Sequence, residues 1–120
     1  MQLFEGMRSA DSTTVKATMA PEARLLTVVT RDSQTQVKET PISEFIRAVG
    51  SPRTEVWDEQ VQSYDILVDQ DLATAWTPYK FYRGNTFSHC GVNAFQLYRT
   101  DHGWKIIQIT DTRRKENCLE

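Results

Sequence analysis

Apolar residues recur at helical spacing in the first half of this chain and at alternate positions in the second. Leu3, Phe4 and Met7 form one helical stripe in QLFEGMRS. Asp11 or Ser12 then caps a second short helix, with Val15 and Met19 four apart on its inner face and Pro21 closing it. Residues 24–30, RLLTVVT, are β-branched and predict a strand; RDSQTQ predicts a turn and VKET a returning strand. Pro41 opens a third helix whose face is Ile42, Phe45, Ile46 and Val49, with Gly50 ending it. From Arg53 onward the period is two. Residues 54–68 place Trp57 and Val61 on one parity and Val56, Tyr64, Ile66 and Val68 on the other, a run long enough to require a bend or bulge. LATAWTPYKFYR follows, with Pro78 demanding an edge or a bulge. FSHCGVNAFQLYR, a turn at 100–103 and WKIIQITDTR complete a terminal hairpin.

The order is α, α, β, β, α and then four long antiparallel β elements, which predicts an α+β domain. One domain over residues 1–118 suits a chain of 120 residues, and Leu119-Glu120 reads as a vector-derived scar. Charge narrows the partners. Fourteen basic and 16 acidic residues give a net charge of -2, without the basic excess of a nucleic-acid footprint. No apolar run is long enough for a membrane span, and the N-terminus lacks the charged-then-apolar pattern of a signal peptide, so the expected location is cytoplasmic.

The candidate chemistry lies mainly on the last strands. His89 shares a face with Phe87, Gly91, Asn93, Phe95 and Leu97, and reads either as a general base or as a core histidine bonded to a backbone carbonyl. Asn93 lies roughly 13 Å further along a regular strand, so the two meet at one centre only if Gly91 bends it. Asp111 alternates with Ile107, Ile109 and Arg113 and reads either as an ion-pair partner of Arg113 or as a pocket carboxylate. Trp57, Trp76, Tyr79, Phe81 and Tyr82 supply aromatic surface for a core, a dimer interface or a ligand slot; a bulge at Pro78 would bring Trp76 and Tyr79 together.

Cys90 points away from His89, which argues against a cysteine–histidine dyad. Within the hairpin Cys90 lies near Arg113, and Cys118 overshoots by about five residues, about 15 Å at strand rise, so the two are expected as free thiols. No metal-ligand spacing and no glycine-rich phosphate loop is present, so neither a metal nor a cofactor is expected.

Taken together, MRSADSTTVKATMAPEARL, ISEFIRAV and the terminal DHGWKIIQITD resemble the nuclear transport factor 2-like, cystatin-like superfamily, and within it the lumazine-binding-like and SnoaL-like branches. The resemblance covers nearly the whole chain. It implies three helices packed in a strongly curved antiparallel sheet that forms a cone with a pocket. It also implies a small-molecule ligand and a homodimer through the outer sheet face. Isomerases, dehydratases and cyclases share this fold with non-catalytic dimerising modules, so two functions stay open. One is a pocket with His89 and Asp111 as catalytic residues and Trp57, Trp76, Tyr79, Asn93 and Arg113 as ligand contacts; the other is a dimerising module with a side-chain-filled cone. Phe4 and Met7 occupy the helix where a steroid isomerase would carry a tyrosine, a departure from that chemistry.

Overall fold

The computed structural model describes residues 2–119. Of the two residues expected to be vector-derived, Glu120 lies outside the described residues and Leu119 is exposed. The elements are α1 (Gln2–Arg8), α2 (Ser12–Ala17), β1 (Met19–Arg31), β2 (Gln34–Thr40), α3 (Ile42–Gly50), β3 (Trp57–Val61), β4 (Asp65–Asp69), β5 (Leu72–Arg83), β6 (Thr86–Thr100) and β7 (Gly103–Thr112). Among them, no helix is long and apolar enough to cross a membrane.

One sheet runs in the order β2-β1-β7-β6-β5-β3, with β4 also paired to β5. It is mixed, because β1 joins β7 in parallel while the other pairs are antiparallel. The expected all-antiparallel sheet is therefore corrected at this seam: β2, α3 and the meander β3–β6 lie between β1 and β7 in sequence, so their pairing is non-local and no hairpin sets its direction. Helix α2 starts where Asp11 accepts hydrogen bonds from the Thr14 amide and hydroxyl at 3.1 and 2.6 Å. It ends before Met19, not at Pro21: Met19 pairs with Ile106 in β1, and Pro21 lies where the β1–β7 register shifts.

The long run 54–68 is two strands, broken at residues 62–64. Pro78 explains the break. Its carbonyl accepts from the Gln62 amide at 2.9 Å, so its missing N–H faces the gap between β3 and β4. Leu3, Phe4 and Met7 of α1, Val15 of α2 and Val49 of α3 pack on one sheet face against Tyr79, Phe81, Phe95 and Ile106. Arg53 locks the helix ends together, its guanidinium donating to the carbonyls of Val49 and Met7 at 2.8 Å each and stacking 3.9 Å over Trp57.

Cys90 and Cys118 are joined in a disulfide, which overturns the expectation of free thiols. The tail does overshoot, but it folds back. Cys90 and Arg114 exchange two backbone hydrogen bonds, and a bend with Asn117 at φ 56° returns Cys118 to the strand. Arg114 Nε donates to the Asn117 carbonyl and closes that bend.

Candidate functional site

A cavity of about 410 Å³ lies between the helices and the sheet face they cover. That size falls within the range of small-molecule pockets. Its walls are largely apolar, with Leu3, Phe4, Phe45, Phe81, Phe95 and Ile109 among them.

One lining group is a buried carboxylate, Glu59, which the sequence reading missed. Glu59 sits on β3 between Trp57 and Val61, on the parity that already carried two apolar residues. It is 8% exposed, and its carboxylate accepts a hydrogen bond from Asn93 Nδ2. The same amide nitrogen reaches Thr77 Oγ1 at 3.3 Å. No salt bridge to Glu59 exists among the described residues. Burial pushes its pKa from 4.5 up to about 7; nearby Asp111 adds to the rise, and the Asn93 bond and Arg113 oppose it. This carboxyl group is therefore poised between its acid and base forms at neutral pH.

His89, Asp111, Trp57, Tyr79, Asn93 and Arg113 all line the cavity. Trp76 does not. The β5–β6 pairing continues through Pro78 without a bulge, so Trp76 stays on the opposite face from Tyr79 and is 53% exposed. The bulge occurs at Ser88 instead, between the pairs Phe81↔His89 and Tyr82↔Phe87. It moves Phe87 off the His89 face and onto the Tyr82 side, where the two rings meet edge-on. A second irregularity, opposite Gln96/Leu97, breaks the alternation of Ile107 with Ile109 and Asp111 and puts Ile106 in the core.

Gly91 lets the β6 and β7 backbones close on one another. A Cβ there would lie 2.0 Å from the Thr112 carbonyl oxygen. That oxygen accepts from Tyr79 Oη at 2.7 Å, and Thr112 Oγ1 accepts from the Val92 amide at 3.1 Å. The Tyr79 hydroxyl proton is thus committed to the backbone, and burial holds the phenol well above its ordinary range.

His89 stacks on Phe81 at 5.0 Å and meets Tyr79 edge-on at 5.8 Å, with Nδ1 2.9 Å from Ser88 Oγ. Burial first, and then the positive charges of Arg113, Arg83 and Lys115, together lower its pKa from 6.5 to about 4, so the ring is neutral at pH 7. Asp111 accepts from Thr27 Oγ1 at 2.6 Å and from Arg113 Nε at 3.3 Å. No cluster of metal-ligating side chains occurs among the described residues.

No family model and no curated protein matches this sequence. Solved structures do match it. A Mycobacterium tuberculosis protein of unknown function superposes with a TM-score of 0.75 at 12% identity, covering 94% of this chain; this chain spans 66% of that one. A nuclear transport factor 2-like protein with a cystatin-like fold from Novosphingobium aromaticivorans gives 0.71 at 15% identity, over 96% of this chain and 77% of the other. A provisionally assigned dehydratase of the same family from Streptomyces avermitilis gives 0.69 at 17%, over 94% and 88%. With its three helices on one face of a seven-stranded sheet, the chain has the nuclear transport factor 2-like, cystatin-like fold.

Proposed function

We propose that this protein binds a small, mostly apolar or aromatic molecule in its cone and moves a proton on it, in an isomerase-, dehydratase- or cyclase-type reaction. The carrying observation is Glu59, a buried carboxyl group facing an apolar cavity with the Asn93 amide as its hydrogen-bond partner and a pKa near neutrality. Glu59 takes the acid/base role that the sequence assigned to His89. A neutral imidazole with its pKa near 4 is a weak base, whereas a carboxyl group near 7 accepts and returns protons readily at physiological pH. Asn93 orients Glu59, and Asp111 is a polar anchor fixed by Thr27 and Arg113. Likeness to a provisionally assigned dehydratase supports this class of chemistry. So does the resemblance to the SnoaL-like branch.

The test is a thermal-shift screen of aromatic and alicyclic carbonyl compounds, followed by deuterium wash-in at carbon next to the carbonyl for each hit. Wild type is expected to exchange that hydrogen, and Glu59→Gln to bind the hit without exchanging it. Equal exchange by both proteins refutes the role of Glu59.

A second reading, a homodimer through the outer sheet face, has its own support. Leu67, Leu72 and Trp76 lie on that face, 72%, 49% and 53% exposed. Light scattering of the wild type and Trp76→Glu tests it: a dimer that becomes a monomer supports it, and a monomeric wild type refutes it. The compartment is linked to the cysteine pair. The disulfide forms and persists in an oxidising compartment, while in the cytoplasm both thiols stay reduced.

A further inference from the structure

Charge is distributed unevenly around the cavity. The charges that bear on His89 are those of Arg113, Arg83 and Lys115, all positive. Arg83 and Arg113 also line the cavity, and both are exposed at its edge. The lining carboxylates are Glu44, Glu59 and Asp111. Asp111 is occupied by Thr27 and by Nε of Arg113. Glu59 is bound to Asn93, and Glu44 does not bear on His89. Arg83 has no ion pair and no side-chain hydrogen bond among the described residues. The terminal nitrogens of Arg113 are likewise unpartnered there. Two guanidinium groups with free N–H donors thus line the same cavity as a neutral imidazole on which their charges act. A guanidinium presents its donors in a planar fork that fits an oxyanion.

We propose that the ligand is an amphipathic acid: its oxyanion docks at the rim on Arg83 and Arg113 beside His89, and its apolar body enters the cavity towards Glu59. This rests on the cavity being a binding site, and it adds a ligand class to that reading. The disulfide serves the same end, because Cys90 and Cys118 hold in place the tail that carries Arg113, Arg114 and Lys115.

Two dyes with one aromatic body separate these ideas. 8-Anilinonaphthalene-1-sulfonate carries an oxyanion, and N-phenyl-1-naphthylamine lacks it; both brighten in apolar surroundings. Three proteins suffice: wild type, Arg83→Gln and the cavity-filling Ala48→Phe, each checked for folding by circular dichroism. Ala48 lines the cavity from α3. Arg83→Gln is expected to weaken the sulfonate about tenfold, the size of one charge-assisted hydrogen bond, and to leave the neutral dye within about twofold. Ala48→Phe is expected to weaken both. An unchanged sulfonate affinity in Arg83→Gln, or equal losses for both dyes, overturns the anion site while the cavity stands. If wild type binds neither dye, or a folded Ala48→Phe binds both as wild type does, the binding-cavity reading falls and takes the anion site with it.

Discussion

Replacing Glu59 with glutamine keeps the shape of the side chain and an acceptor for Asn93, and removes only the titration. In the folded protein Glu59 has a pKa of about 7, against 4.5 in its ordinary state. The folded state therefore holds a proton that the unfolded chain releases between these values. Stability falls as pH rises from about 4.5 to 7, and the loss is complete above 7. At roughly 1.4 kcal/mol per pKa unit, the full loss is about 3 kcal/mol. Glutamine does not incur it. His89 works in the opposite direction, because its pKa is lowered to about 4: its contribution is present above its ordinary 6.5 and is lost as pH falls towards 4. His89 is common to both proteins and cancels in their difference. Urea unfolding of both proteins at steps from pH 4.5 to 8.5 measures that difference. Glu59→Gln is expected to match the wild type near pH 4.5 and to exceed it by about 3 kcal/mol above pH 7.5. A difference that stays constant across this range refutes the buried, raised carboxyl group.

Cys118→Ser opens a loop closed over a sequence separation of 28 residues. Its loss is expected to cost about 3 to 4 kcal/mol on the chain-entropy estimate, and thermal unfolding with and without reductant checks it; an unchanged midpoint refutes the clasp. Gly91→Ala places a methyl group against the Thr112 backbone, where no flexible side chain can give way, and is expected to destabilise by about 2 kcal/mol or more in urea unfolding. Arg53→Met removes donors to the Val49 and Met7 carbonyls and is expected to cost about 2 to 4 kcal/mol, while a neutral result denies that Arg53 joins the helix ends.

Much of this architecture was legible because apolar spacing reports which face a segment buries. The α3 stripe packs on the core through Ile42, Phe45 and Val49, and His89, Asn93 and Phe95 of FSHCGVNAF share the cavity-lining face. The misses have local causes. Period-two counting fails past a bulge, so Ser88 carried Phe87 to the other side and the irregularity opposite Gln96/Leu97 put Ile106 in the core. Trp76 was assigned to the cavity on the strength of a bulge at Pro78, but the proline is accommodated by a gap in the neighbouring strands. The disulfide was hidden because a reversal at Asn117 has no hydrophobic signature. Glu59 was passed over because a charged residue in a strand ordinarily faces water. Its position between Trp57 and Val61 was the available signal, and only the partner Asn93, 34 residues away, makes its burial intelligible.

The most direct test of the account is the Glu59 titration itself, followed by carboxyl ¹³C NMR on glutamate-labelled protein and assigned by the peak missing from Glu59→Gln. The account predicts a midpoint near 7 that rises further when N-phenyl-1-naphthylamine fills the cavity and removes water from the carboxyl group. A midpoint near 4.5 that the dye leaves unmoved contradicts both the buried acid and the chamber it faces.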